Sequence, residues 1–587
     1  MSPYISKLEY LPDEILLEVC RYLHSGDVLY SFFGLNTRLN RMITFYRQHI
    51  SLHRTYYLQF VDIFQRILPQ IEHSIESLVI FELESPLFFN LFSQNCQYKF
   101  LRKLTLVNWT DEKLISFVSQ LHGMELFEKL VLQALDLTDL VDHRVVFQTL
   151  LQTNDNRLKE LIFDHECDSL QLTDEKHFQF LHFDHLIHLN IELRTTSDLV
   201  QLISIVPNLE QLNVTFKHSW TKISFENQVF LHLKKFSVYA MSWFSTYDDM
   251  QSLVQLSKSL EYLSLVLVTH DRLLIDKQSI YSILPRDLQE FHYSVCYQPT
   301  DTDEEFSAND ILEQWKTIPI EYSISLNDRR IFLHTKFYES ARLSLRSLFS
   351  QQMSTIYPSE IYKNVRHLHV YDTMHLIETF GILRHCRKIL DFIVSIRTLP
   401  VNRKTSTSQP ISHLPRLNSL DFLSIQGSLP DLNLIDRILS SAPNLSAMSI
   451  DFDCLHKLLI DDEQTLLIYK LLSQRIIILC IRFEGTIQKQ FTDEHLHSIA
   501  RVFHRIHHMC IDFRNSTLVI ESQLISLILN YFTRLMVLSI YGKLSDQDEF
   551  LKNEQLPEYL VKHSSGRLKS TEHFRIDYGN ERVKVWM

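Results

Sequence analysis

From about residue 75 onward the chain repeats one short pattern: an apolar residue, two others, an apolar residue, one other, an apolar residue. It reads Leu101-Leu104-Leu106, Leu158-Leu161-Phe163, Leu186-Leu189-Ile191, Leu209-Leu212-Val214, Leu233-Phe236-Val238, Leu260-Leu263-Leu265 and Leu288-Phe291-Tyr293. It resumes as Val365-Leu368-Val370, Leu420-Leu423-Ile425, Leu445-Met448-Ile450, Ile476-Leu479-Ile481, Ile506-Met509-Ile511 and Leu535-Leu538-Ile540, with weaker copies starting at Ile75, Phe127 and Ile389. Because 45% of the residues are hydrophobic, a three-position match arises by chance at roughly one start in eleven, so the triplet alone says little. The spacing is what constrains the fold. Successive starts fall mostly about 23 to 31 residues apart, the period of repeats that place one strand and one helix in each copy.

The segments between triplets carry helical periodicity. Leu199, Leu202, Ile203 and Val206 form one stripe; Leu434, Ile435, Ile438 and Leu439 a second; Leu496, Ile499, Ala500 and Phe503 a third. Pro207 in PNLEQL and Pro443 in APNLSAM stand just ahead of a triplet, where a helix must end. The expected class is therefore α/β: short parallel strands stacked into a curved solenoid, strands inside and helices outside. An ordinary α/β sheet is the rival. The absence of any Gly-rich phosphate loop, in a chain with only nine glycines, argues against it.

No clean triplet lies between Leu288 and Val365. Two degenerate repeats are expected there, near Ile320 and Ile331. YQPTDTDEEFSAND, from Tyr297, is acidic and aperiodic, and TLPVNRKTSTSQPISHLPR, from Thr398, is polar and proline-flanked; both read as exposed loops. The expected organisation is a helical module at 8–50, a helical linker at 51–74, a first array at 75–296, degenerate repeats with the acidic loop at 297–364, and a second array at 365–587.

The N-terminal module, YLPDEILLEVCRYLHSGDVLYSFFGLNTRLNRMI from Tyr10, reads as three short helices. Pro12 suits a first helical position, with Asp13 and Glu14 in the first turn. Ile15, Leu16, Val19, Tyr22 and Leu23 make one stripe, and Val28, Leu29, Phe32 and Phe33 another. Gly26 is expected to end the first helix, Asp27 to cap the second and Asn36 to cap a third carrying Leu39, Met42, Ile43 and Tyr46. A unit below about 40 residues rarely hides this many apolar groups alone, so another protein or the following domain is expected to cover part of them.

Leu11-Pro12-Asp13-Glu14-Ile15-Leu16, Tyr22-Leu23, Asp27-Val28-Leu29, Phe32 and Leu35 through Arg38 resemble an F-box, at the spacing of that family. The aromatic that many F-boxes carry in the third helix is replaced by the Leu39–Met42 neighbourhood. The array resembles the leucine-rich repeats of many F-box proteins, but lacks most of the Asn or Cys residues that usually follow the strand. Trp109, Lys217 and Arg514 stand there in three copies, and no buried amide ladder is expected from them. The resemblance implies an F-box that binds the S-phase-kinase-associated adaptor protein, and through it a cullin, with the solenoid holding a protein substrate for ubiquitination. It implies adaptor contacts at Leu11, Pro12, Ile15, Leu16, Val28, Leu29 and Phe32, and no catalytic role for the chain.

The rest of the composition narrows the partners. Net charge is −12, from 58 basic and 70 acidic residues, and no basic run is long enough for a phosphate footprint, so neither nucleic acid nor an anionic membrane is expected. The eight cysteines are scattered, with neither a disulfide framework nor zinc spacing. The opening residues lack the apolar core of a signal peptide, and no apolar run approaches the ~20 residues of a spanning helix. A reducing intracellular location, cytoplasmic or nuclear, is the expectation. No nucleotide loop, Walker motif or GxSxG elbow is present. His182, His185 and His188, and His504, His507 and His508 with Cys510, read as surface or strand-face side chains. Asp164, Glu166 and Asp168 lack the Gly and final Glu of a calcium loop. Neither metal nor cofactor is expected.

Strand alternation then assigns a binding face. Outward positions include Tyr262, His292, His367, His369 and His508; one step past the triplets lie Asp164, Glu192, Tyr239, Tyr371, Asp451, Asp512 and Tyr541. A mixed acidic and aromatic face suits a protein ligand with basic segments. A repeat scaffold without a ligase partner, and a ligand-sensing solenoid receptor, are the alternatives.

Overall fold

The computed structural model describes residues 10–52, 55–81, 98–135, 137, 141–164, 167–173, 182–216, 230–257, 259–300, 314–315, 320–325, 330–335, 342–346, 362–373, 379–396, 414–427, 432–460, 466–483, 491–552, 555–579 and 581–587. The middle and last residues of every triplet lie on a strand, and the first sits just before it. The chain divides into two compact units, Met1–Asp303 and Glu304–Met587.

In the first unit the strands are β1 (His49–Ser51), β2 (Ser77–Phe81), β3 (Lys103–Val107), β4 (Lys129–Gln133), β5 (Glu160–Phe163), β6 (His188–Leu193), β7 (Gln211–Phe216), β8 (Lys235–Phe244), β9 (Tyr262–Thr269) and β10 (Glu290–Tyr297). Each pairs in parallel with the next in sequence. The register aligns the triplets: Leu78, Leu104, Leu130, Leu161, Leu189, Leu212, Phe236 and Leu263 form one buried column across the sheet. A one-residue slip would turn that column to solvent. A backbone clamp fixes the same register. The carbonyl of Glu76 accepts from the amides of Arg102 and Lys103, that of Arg102 from Glu128 and Lys129, that of Glu128 from Lys159 and Glu160, and so on along the unit.

The second unit contains β11 (Ile320–Ser325), β12 (Arg330–Thr335), β13 (Arg342–Arg346), β14 (His367–Thr373), β15 (Asp391–Ile396), β16 (Phe422–Gly427), β17 (Ala447–Asp451), β18 (Ile478–Arg482), β19 (His508–Asp512), β20 (Val537–Tyr541), β21 (Arg575–Gly579) and β22 (Arg582–Trp586). Strands β13 to β20 repeat the parallel, in-register arrangement. Ile320 and Ile331 do not start repeats. They lie on β11 and β12, which form an antiparallel hairpin with Ile324 opposite Ile331. The last segment also departs from the pattern: β22 runs antiparallel to β20 and to β21, and Val583, Val585 and Trp586 are buried. Helices of this unit are tied to the next by arginines that cap their C-terminal carbonyls. Arg475 bonds the Leu439 and Ala442 carbonyls, Arg505 the Gln474 carbonyl, and Arg567 those of Leu529, Phe532 and Leu535, each placing a cation at the negative end of the helix dipole.

The missing amide ladder has substitutes. The buried Trp109 indole N–H donates to the Ile80 carbonyl of the preceding repeat at 3.2 Å. The Cys167 thiol does the same to Leu132 at 3.3 Å, and Cys454 to Gly427. Trp109 thus supplies a buried repeat-to-repeat donor of its own, an indole N–H in place of an amide; Lys217 lies outside the described residues. Between two repeats of the first unit, Asn154 serves as a staple. It is fully buried, adopts φ +55°, donates to the carbonyls of Met124 (2.8 Å) and Phe127 (2.9 Å), and accepts from the Met124 amide at 2.9 Å. Asn154→Ala should strand three backbone groups and burden a left-handed position that Asn tolerates best. The expected loss is roughly 2 kcal/mol, read as a lower denaturation midpoint.

Candidate functional site

The N-terminal helices are α1 (Asp13–Arg21), α2 (Ser25–Phe32) and α3 (Thr37–Met42), followed by a short helix at Thr44–Gln48. Pro12 is the cap residue of α1 rather than its first turn, and Asn36 caps α3 through its side chain, accepting from the Leu39 amide at 2.9 Å. Two sequence expectations fail at α2. Gly26 does not end a helix and Asp27 does not cap one: both lie in the first turn of α2, behind His24. The reason is packing. A β-carbon at Gly26 would overlap the Thr55 hydroxyl, so a larger residue there would make the Thr55 side chain give way where α2 meets the segment behind it.

The module packs on the helical stretch that follows it. Leu16, Cys20, Val28, Leu29, Phe32, Leu39 and Ile43 are buried, as are Ile50, Leu52, Phe60, Ile63 and Ile67 of the following stretch. Helix α2 contacts both that stretch and β1. Four expected partner contacts, Leu16, Val28, Leu29 and Phe32, are therefore core residues and present no surface to another protein. Leu11 is half-buried and Pro12 exposed. The apolar stripe of α1 is split. Leu16 and Cys20 turn inward, while Ile15, Val19 and Tyr22 remain 50%, 38% and 83% exposed at i, i+4 and i+7 spacing along one face. Tyr10, Leu35 and Phe45 are also exposed; Leu35 belongs to the stretch that resembles an F-box, but none of the three was among the expected adaptor contacts. Arg38 braces the edge of this surface: it donates to Asp13 at 2.7 Å and to the Leu11 carbonyl at 2.5 Å.

The proposed face residues fall into two groups, one in each unit. Tyr239, Tyr262 and His292 belong to the first and are half-buried. The Tyr262 and His292 rings lie 5.3 Å apart, and His292 approaches Glu290 at 3.8 Å. The register column of Tyr262 also holds Lys129, Glu160 and His188, with Lys129 bonded to Glu160 at 2.5 Å; burial holds His188 below its usual range. Asp164 accepts from Gln133 at 3.2 Å, and Glu192 is buried.

In the second unit, much of the expected face is engaged with itself. His367 bonds Asp391 at 2.5 Å, and His369, held below its usual range by burial, bonds Ser395 at 3.0 Å, which in turn donates to Gln426 at 2.6 Å. Tyr371 is in register with Arg346 on β13, and its side chain lies outside the described residues. Asp451 is buried rather than presented: it accepts from Arg482 Nε at 3.1 Å and from the Gly427 amide at 2.5 Å. His508 is half-buried. Burial pushes the Asp512 carboxyl up, but hydrogen bonds from the Arg514 guanidinium and amide, with the charges of Arg514 and Arg482, outweigh it and hold the group below the usual carboxylate range. The Arg514 guanidinium lies 5.0 Å over the Tyr541 ring. Asp512 and Tyr541 are in register on β19 and β20, while His508 sits at the other end of β19, opposite Val537.

Among the described residues no group of three or more His, Cys, Asp and Glu is placed to hold a metal, and no helix is long and apolar enough to cross a membrane. What the described surface presents is an apolar stripe on α1 and charged and aromatic side chains on strand faces. No protein-family model matches the chain, and a search of curated proteins returns no match.

Proposed function

We propose that the chain is the substrate-recognition subunit of a cullin-RING ubiquitin ligase. In this reading the N-terminal helices act as an F-box that docks the S-phase-kinase-associated adaptor, and the strand arrays act as leucine-rich-repeat solenoids that hold a protein substrate. The observation that carries it is the exposed stripe Ile15–Val19–Tyr22 on a module that has already buried its other apolar face. An exposed apolar patch on a helix face marks a partner site. The parallel, in-register strands support the second half, because repeats stacked this way offer extended faces for protein ligands.

The docking surface differs from the one read from the sequence. It is built from Leu11, Pro12, Ile15, Val19 and Tyr22, while Leu16, Val28, Leu29 and Phe32 shape the helices from within. Burying a large apolar side chain contributes about 1.5–3 kcal/mol, so Ile15→Asp with Tyr22→Asp should weaken adaptor binding about a hundred-fold. Titration of purified full-length chain with the adaptor measures this, with circular dichroism confirming an unchanged fold. Equal affinity of the double variant, or no binding by the parent chain, would overturn the proposal and leave a non-ligase repeat scaffold.

A further inference from the structure

Strands β18 and β19 place Cys480 and Cys510 side by side in register. In-register residues on adjacent parallel strands project to the same face, with the strands about 4.8 Å apart. That lies within the roughly 4.4–6.8 Å between α-carbons that a disulfide spans. Ser449 flanks the pair on one side and Ser539 on the other. Along the strands it is bounded by Ile478 and His508 below and by Arg482 and Asp512 above. No bulky side chain separates the two sulfurs.

The surroundings set this pair apart. Cys20, Cys167, Cys296, Cys386 and Cys454 are buried, whereas Cys480 and Cys510 keep partial access to solvent. Burial pushes the Cys167 thiol up to about 12 and Cys386 higher still, which makes them poor nucleophiles. Cys480 is held below the ordinary thiol range by the hydrogen bond from Cys510, with Ser449 and Arg482 adding to it. The same hydrogen bond and burial hold Cys510 well above that range. One sulfur is thus prepared to attack, and its neighbour holds a proton beside it.

We propose that Cys480 and Cys510 form an oxidisable dithiol site that reacts with a hydroperoxide. The Cys480 thiolate attacks the peroxide oxygen, the O–O bond breaks, and an alcohol leaves with Cys480 as a sulfenic acid. The Cys510 sulfur then attacks the Cys480 sulfur, and the sulfenic hydroxyl departs with the Cys510 proton as water. Two thiols and one hydroperoxide give one disulfide, one alcohol and one water. The bond staples neighbouring repeats and removes both thiols from the face, independently of what that face binds.

The test is to treat full-length chain with stoichiometric hydrogen peroxide, then map the peptides by mass. The expected product has lost two hydrogens, joins Cys480 to Cys510, and returns to the dithiol with a reducing agent. In Cys510→Ser, dimedone should trap the sulfenic acid on Cys480. In Cys480→Ser, oxidation of Cys510 should slow by about ten-fold or more, since the activated thiolate is gone. The proposal is overturned if oxidation falls first on other cysteines, if Cys480 proceeds to sulfinic acid in the parent chain without forming the bond, or if Cys510 reacts as fast without Cys480.

Discussion

Gly427→Ala is expected to cost the second unit about 3–5 kcal/mol, an effect visible as early unfolding in urea. Gly427 ends β16 with φ +88°, a region that L side chains avoid at a cost of roughly 1–2 kcal/mol. Strain is the smaller part. A β-carbon there would sit in hard overlap with the Ile396 carbonyl oxygen of β15, a backbone atom that cannot swing aside. Relief would require β15 and β16 to part at their ends, where Ile396 and Gly427 are paired. The shift would also disturb the Gly427 amide's 2.5 Å bond to the buried Asp451 and the Cys454 thiol's bond to the Gly427 carbonyl. Gly566→Ala is the control. Its φ is +78° but its β-carbon would meet open space, so only the left-handed penalty of about 1 kcal/mol should appear. If both variants lose equally, the close approach at Gly427 is not what sets its cost.

The repeat strands were legible because their apolar residues serve one another. Each triplet leucine packs in register on the next, so selection of one column leaves a regular trace in the sequence. The hairpin of β11 and β12 was not legible, since an antiparallel pair also reads as two apolar runs and only the pairing direction distinguishes it. Strand β13 was missed because Leu343 and Leu345 lack the apolar residue three positions earlier. The candidate sites were half legible. Sequence alternation placed Asp451 and His369 on a face, but not the Arg482, Gly427 and Ser395 groups that engage them there. On α1 the stripe was visible, but not its division into a buried and an exposed side, and the stretch that α2 packs on read as a linker. Cys480 and Cys510 looked scattered for a related reason: one repeat period separates them in sequence and none in space.

Arg482→Ala is expected to cost about 3–5 kcal/mol, the range seen when one partner of a buried ion pair is removed. The Asp451 side chain is only 7% exposed and Arg482 20%, so solvent cannot replace the guanidinium. Arg482 also donates to the Ile425 carbonyl at 3.0 Å, spanning from β18 to β16 past the intervening strand. Its loss should therefore leave a buried carboxylate undercompensated and a backbone carbonyl without that donor. Arg482→Lys should recover only part of the loss, because an ammonium cannot direct separate N–H groups at Asp451 and Ile425 with the reach of a planar fork. Asp451→Asn combined with Arg482→Met removes both charges together. It should be less destabilised than the sum of the two single changes, since neither charge is then left alone in a low-dielectric site. Equilibrium urea denaturation of the four proteins measures that coupling directly. Additive losses would mean that Asp451 is stabilised chiefly by the Gly427 amide, and that Arg482 is available to a ligand on the strand face.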